Sequence, residues 1–454
     1  MLTIKQLYKK SAQYKRARNI AKQRNKLELE QHIKNSEEWY KLDNAGLIFP
    51  AIQQSSWNSM FRLSAYLYEQ VDARILEQAI NDIMPRFPAF NVSLKRGFFW
   101  YYFQQLDKPI KVEQEHSNVC SAIALNKTTP LFRVLYFNKK ISVEFFHSLT
   151  DGRSGLAFLN TLVSRYLVLK GYDIDVQKLP ISYLDNPDQE EWEDAFNRYC
   201  DLKEKAPRKE KTAYQLSGEI NKKKKVNIIS LILESDKVKE IARNKYNCSV
   251  HEMLSAVLIK ALCDEQLFFN KKKIKPVRIS VAADMRQFFP SKTLRNFVNV
   301  INIGINPDKS ETSLEQCINA VKQQMKLFTK EQFMKINNTN VADQRNFLIR
   351  IIPLFIKNFV MNMVYFQSSE KGFACPFSNI GVVNDNNQFK GLVDKYDFIV
   401  GPLKFNKFAS TVITYNNKLT FSFSLKVKET SIVKSIAKIF NEMGLKIFVE
   451  SNIN

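Results

Sequence analysis

Two apolar runs, Leu131 to Phe137 and Ile141 to Phe146, are separated by Asn138-Lys139-Lys140, and that spacing predicts a β-hairpin. Immediately downstream the period changes, with Leu156, Leu159, Val163 and Tyr166 recurring at helical spacing. The stretch between them, Glu144-Phe145-Phe146-His147-Ser148-Leu149-Thr150-Asp151-Gly152, therefore places a histidine where a strand gives way to a helix.

The same change of period recurs along the chain. A strand near Arg62 to Leu67 precedes a helix carrying Ile75, Ala79, Ile80 and Met84, and strands follow near Val92 to Leu94 and Phe98 to Phe103. An acidic, irregular stretch from Asp185 to about Lys211, with Pro187 and Pro207, reads as the crossover between two similar halves. The second half opens with a strand from Asn227 to Leu233 and a helix from Asp236 to Lys245. A capping box, Ser249-x-x-Glu252, then starts another helix, and a strand from Pro276 to Ala282 comes after it. Strands at Ser410 to Tyr415 and Leu419 to Leu425 flank an Asn416-Asn417 turn, and a closing helix runs from Ser431 to about Met443. The most apolar window, Phe347 to Phe366, is broken by Arg350, Pro353, Lys357 and Asn358 and reads as a core helix in preference to a membrane span. Strands and helices alternating without a glycine fingerprint favour an α/β sandwich in two lobes over a doubly wound nucleotide fold.

Composition narrows the chemistry. A chain of 454 residues with 45% hydrophobic content buries a large core and divides into about two or three domains. Its start has no apolar stretch ahead of a small-residue cleavage site, so no secretory signal is expected. Cysteines 120, 200, 248, 263, 317 and 375 show neither a close pair nor metal-ligand spacing, which fits a reduced, cytoplasmic setting. With 12 glycines there is little material for a phosphate-cradling loop, and none of the 4 histidines pairs with another at helix spacing to bind zinc. No metal and no tightly bound cofactor is expected. The reaction then rests on side chains and on a substrate that brings its own activation, as an acyl thioester does.

A histidine at a strand end keeps one ring nitrogen free while the fold holds the other, which is how a general base is mounted. Two blander readings stand beside it: Asp151-Gly152 as a turn and N-cap, and His147 as a partly buried ring.

The spacing His147-x-x-x-Asp151-Gly152 in a strand-loop-helix setting resembles the active-site motif of the chloramphenicol acetyltransferase and condensation-domain superfamily. Further strings are similar to its alcohol acetyltransferase-like branch: Trp39 to Ala45, Ile48-Phe49-Pro50, Phe61 to Ser64, Val71-Asp72, Arg86 to Phe90, Gly97 to Tyr102, Asp284 to Phe297 and Ser378 to Gly381. In order, they span about residues 37 to 445. Many members carry two successive histidines; here Phe146 takes the first position, and His147 matches the catalytic second.

The resemblance implies a two-lobed pseudo-dimer, each lobe a mixed β-sheet flanked by helices, with a tunnel between the lobes. The corresponding division is a basic extension at 1–36, a first lobe at 37–185, a crossover at 186–211 and a second lobe at 212–454. It implies that His147 is the general base, that Asp151 pairs with Arg286 to fix the loop, and that Gly152 lets the backbone turn tightly into the helix. Ser378 or Asn379 is implied as oxyanion donor, against the plainer reading of a turn preceding a strand. The implied reaction is acyl transfer from acyl-CoA, with acetyl-CoA first among donors, to an alcohol. Amide formation from a phosphopantetheinyl thioester on an acidic acyl carrier protein is the variant.

Charge adds one more constraint. The net charge is +23, and residues 1 to 35 hold ten Lys or Arg against Glu28 and Glu30; Lys222 to Lys225 and Lys271 to Lys273 form further basic loops. Solvated surface, attraction of anionic donors or carrier proteins, and peripheral contact with an anionic membrane through the N-terminal segment all fit. A non-enzymatic basic binding protein is the rival class, but no nucleic-acid motif accompanies the scattered lysines.

Overall fold

A computed structural model describes residues 39–453 apart from 54–58, 116–117, 126–127, 208–210, 222–225, 270–272, 309, 369, 402 and 404–405. The N-terminal basic segment, Lys222 to Lys225, Lys271 and Lys272 thus lie outside the described residues.

Two mixed sheets form the frame. The first runs in the order Val393–Val400, Met60–Leu67, Lys140–Phe146, Phe132–Phe137, Val112–Gln114, with only the last pair parallel. The second runs Val298–Ile305, Val277–Asp284, Cys375–Val382, Phe408–Tyr415, Lys418–Leu425, Asn227–Glu234, Ile447–Ser451; Cys375–Val382 is parallel to both its neighbours. A small sheet joins Trp39–Lys41, Tyr101–Gln105 and Val92–Arg96. Each large sheet buries one face under helices. Leu76 and Ile80 of Ala73–Ile83 and Leu159 and Val163 of Gly152–Leu169 share a core with Leu63 and Val143. Leu254 and Leu258 of Val250–Phe269 and Ile436 of Ser431–Glu442 do the same with Leu231 and Phe421. The protein is therefore α/β with two helix-flanked mixed sheets. Val393–Val400 comes late in the chain yet pairs with Met60–Leu67, so one strand of the second half completes the first sheet.

Local chemistry explains the turns. Asn138 sits at φ 51° in a two-residue turn, and Asn416 and Asn417 sit at φ 49° and 57°, the left-handed region that asparagine tolerates and a tight hairpin requires. The Ser249 box closes as predicted: Ser249 N donates to Glu252 Oε2 at 2.7 Å, and Glu252 N to Ser249 Oγ at 3.2 Å.

Several sequence expectations need correction. Tyr101, not Phe98, begins its strand, because Gly97 N and Trp100 O close a turn at 2.9 Å that leaves Phe98 outside the ladder. The helix after Asn227–Glu234 is α-helical over Ser235–Glu240 and then widens to a π-helical turn over Ile241–Lys245. The stretch 185–211 carries two short helical turns, Gln189–Trp192 and Ala195–Arg198, and buries Glu191 in a two-bond pair with Arg86 at 2.6 and 2.7 Å. Ser431–Glu442 is not the last element, since Ile447–Ser451 returns to pair with Asn227–Glu234. The apolar window 347–366 is not a core helix. Pro353 splits it into Phe347–Arg350 and Leu354–Ser368, and most of its large side chains face outward. Among the described residues no helix is long and apolar enough to cross a membrane.

Candidate active site

The strand that delivers His147 is anchored by aromatic packing. Phe145 lies among Phe61, Phe90, Phe132 and Phe158, with ring centroids 5.2 to 6.0 Å apart. Each such pair contributes about 0.5–1.5 kcal/mol beyond area burial, so the strand end is rigid. Phe146, where the resemblance leads one to expect a histidine, is fully buried in the same core. His147 follows, half-buried, its backbone N–H held by Ser59 O at 2.8 Å. Phe49 stacks on the imidazole at 4.6 Å and Phe61 meets it edge-on at 5.0 Å.

Asn296, from the second half, decides the tautomer. Its Nδ2 donates to His147 O at 2.9 Å and to Asp43 Oδ2 at 3.2 Å, which turns its Oδ1 toward His147 Nδ1 at 3.0 Å. An amide oxygen only accepts, so Nδ1 carries the proton and Nε2 is left with its lone pair. Burial holds the imidazole below its ordinary value, partly offset by the bonds to its own backbone and to Asn296. The ring is consequently neutral at neutral pH. Asp43 is fully buried, and desolvation together with the nearby Asp194 charge pushes its carboxyl up to about 7. Sequence reading passed over Asn296 and Asp43 as components of longer strings, and Phe49 likewise.

The loop after His147 is tied down at every polar residue. Ser148 Oγ donates to Gly46 O at 2.9 Å and Thr150 Oγ1 to Leu294 O at 2.7 Å. Asp151 Oδ1 accepts from Ser154 N at 3.0 Å as the helix N-cap, while its Oδ2 accepts from Phe297 N at 2.9 Å and from Arg286 Nη1 at 2.9 Å. The N-cap reading and the arginine-pair reading are thus both realised by one carboxylate. Burial alone would raise the Asp151 carboxyl, but the Arg286 charge and the two backbone N–H groups outweigh it and hold it below the usual range. Arg286 spends its remaining donors on Asp284, Ser154 Oγ and the carbonyls of Thr293 and Arg295, at 2.8 to 3.1 Å.

Gly152 has a different reason from the one its sequence position suggests. Its φ is not positive, so no left-handed turn requires glycine there. A Cβ at Gly152 would instead meet Ile380 at 3.1 Å and Phe398 at 3.3 Å, so the glycine leaves room for the second half to close on the motif. Ser378 and Asn379 do not form a turn before a strand; both lie inside Cys375–Val382. Asn379 is committed elsewhere, with Nδ2 3.3 Å from His251 Nδ1 and Oδ1 accepting from Gly381 N at 2.8 Å. Phe377, next to His251 at 5.2 Å, shares that side of the strand, so Ser378 points to the opposite face. Ile380, the extra residue of a bulge between Asn379 and Gly381, is the one that reaches Gly152.

Along the polar face of the first sheet lies a separate cavity of about 490 Å³ lined by Arg62, Tyr66, Glu115, Asp397, Ser230 and Glu450. Arg62 is braced there, with Nε on Glu144 Oε1 at 2.8 Å and Nη1 on Glu115 Oε1 at 2.6 Å.

No protein-family model matches the chain, and no curated protein matches it in sequence. Solved structures do match. Polyketide synthase associated protein 5 from Mycobacterium tuberculosis is 11% identical with a TM-score of 0.59, over 89% of this chain and 97% of that one. Trichothecene 15-O-acetyltransferase from Fusarium sporotrichioides is 10% identical with a TM-score of 0.58, over 90% and 94%. The starter condensation domain of rhizomide synthetase, in complex with C8-CoA, is 10% identical with a TM-score of 0.58, over 89% and 94%. The chain has the two-lobed fold of the chloramphenicol acetyltransferase and condensation-domain proteins.

Proposed function

We infer that the protein is an acyltransferase that moves an acyl group from acyl-CoA to an alcohol hydroxyl, with His147 as general base. The carrying observation is the Asn296 Oδ1 bond to His147 Nδ1, which leaves a neutral ring with Nε2 free at the junction of the two halves. The shared fold with an O-acetyltransferase and with a CoA-bound condensation domain points to the thioester donor. In this reading Nε2 takes the hydroxyl proton as the oxygen attacks the thioester carbonyl, a role worth about a hundred- to ten-thousandfold in rate. The tetrahedral oxyanion accepts a hydrogen bond from Ser378 Oγ, and collapse expels the CoA thiolate, which takes the proton back from His147. No acyl-enzyme forms. Both substrates enter a tunnel between the lobes, where proximity makes the step effectively intramolecular. Asp151 and Arg286 act as positioning residues. Six free cysteines suit a reducing, cytoplasmic setting. Incubation with acetyl-CoA and mixed alcohols and amines, read by mass spectrometry, should give esters. Amides alone, or products only from carrier-bound donors, would overturn the hydroxyl or CoA assignment.

Asn296 supplies a sharper expectation. In Asn296→Asp a carboxylate faces Nδ1 and favours the imidazolium, so the acid limb of the rate profile should move to higher pH from its wild-type place below 6.5. A profile that stays in place would separate Asn296 from the base.

Phe146→His should leave that profile unchanged, because the position lies in the core and not at the site. Its cost should be in stability, about 1–3 kcal/mol by urea denaturation, since a buried ring nitrogen lacks a partner. A large gain in turnover would show instead that Phe146 limits the present enzyme.

A further inference from the structure

The apolar window that sequence reading assigned to the core forms an exposed face. On Leu354–Ser368 the side chains of Phe355, Ile356, Phe359, Val360 and Met363 fall at one-turn spacing along a single side, with Phe355 61% and Phe359 67% exposed. The preceding turn adds Phe347, Leu348 and Ile351, and the tip of the hairpin at Gly97 adds Phe98 and Phe99. These pieces are fastened together. Leu354 N donates to Phe98 O at 2.8 Å, and Lys357 Nζ donates to Phe99 O and Arg350 O at 3.1 Å each, while sitting 3.4 Å from the centre of the Trp100 ring. One rigid surface results, more apolar than a free-standing soluble face ordinarily is.

Charge identifies what covers it. The two segments that build it, 92–102 and 346–368, contain Lys95, Arg96, Arg350 and Lys357 and no Asp or Glu. The chain reaches the described fold at Trp39, whose ring lies 6.3 Å from Tyr102 near the tip of the same hairpin, and the residues before it carry ten Lys or Arg in positions 1 to 35. That basic segment is electrostatically mismatched as a cover for a basic patch. Aromatic and aliphatic side chains bordered by the exposed Arg96 and Arg350 suit a bilayer surface bearing anionic headgroups. The location is also telling: Leu354–Ser368 packs on Ile48–Ile52, whose Phe49 stacks on His147.

We propose that the face formed by Leu354–Ser368 and the Phe98-Phe99 hairpin tip docks the protein on an anionic lipid membrane, one helix, Ile48–Ile52, away from His147. Resting on the acyl-transfer reading, its consequence is an acceptor hydroxyl compound that partitions into the bilayer. The docking itself needs no activity to be tested. Full-length protein should co-sediment with vesicles of phosphatidylcholine and phosphatidylserine in equal parts, and less with phosphatidylcholine alone. Phe355→Ser combined with Phe359→Ser should weaken that binding by at least about tenfold, and Phe448→Ser, at an exposed position on the far strand Ile447–Ser451, should not. Phe359→Trp keeps the face apolar and should show a blue-shifted emission on vesicle addition even if the double variant folds poorly. Absence of wild-type binding, or equal binding by the double variant, would overturn the proposal. So would binding lost on deletion of residues 1–35 but not in the double variant, or a dimer that the double variant dissociates.

Discussion

Asp151→Asn and Arg286→Ala are each expected to cost about 3–5 kcal/mol of stability, because each leaves a partner charged or polar and buried without its counterpart. Both side chains are nearly inaccessible, at 1% and 10% exposure, so solvent cannot compensate. In Asp151→Asn only one acceptor oxygen remains, so the amide NH2 must face either the Ser154 N–H or the Arg286 and Phe297 donors, and the loop must shift to relieve it. The double variant should cost well below the sum of the two, with a coupling of about 2–3 kcal/mol measured by a urea-denaturation cycle. Additive losses would mean that the pair does not act as a unit. Turnover should fall with each single variant as well, since the pair fixes the loop that begins at His147 and the Phe297 strand entry beside Asn296. A loss in kcat with little change in donor KM would separate loop positioning from donor binding.

What was readable in the chain and what was not follow from the range of the forces involved. The Asn138 turn, the strand ending at Phe146, the Asp151 cap and the Ser249 box are all set by residues within a few positions of one another, where period and capping chemistry speak directly. Arg286 was placed opposite Asp151 only through family resemblance, since nothing local announces a contact across 135 residues. Asn296 acts on His147 across 149 residues, and Asp43 in turn holds Asn296 across 253, and no local pattern marks an asparagine as a tautomer lock. The window 347–366 shows the limit of hydropathy itself. Apolar content predicts affinity for an apolar environment without saying whether that environment is the core or another surface, and here Pro353 and the buried Lys357 stem turn most of it outward. At Gly152 the sequence showed that glycine matters but not that the reason was the approach of Ile380 and Phe398.

The largest functional effect is expected at His147. No other histidine of the described structure sits at a strand end with a locked Nδ1; His251 also bonds through Nδ1, at 3.3 Å to Asn379, but it is mounted on a helix and burial pushes it down to about 4. His147→Ala removes the lone pair at Nε2 while leaving Ser148, Thr150 and Asp151 to hold the loop, so folding should survive and the chemical step should not. The loss should be about a hundred- to ten-thousandfold in kcat, appearing in kcat and kcat/KM alike because the base acts in the transition state. The most direct measurement is CoA thiol release from acetyl-CoA in the presence of an alcohol acceptor, with wild type and His147→Ala compared at equal concentration and equal melting temperature. Acceptor-dependent thiol release by the wild type that falls by at least about a hundredfold in the variant is the expected result; equal release by both proteins would contradict the assignment of His147 as the base.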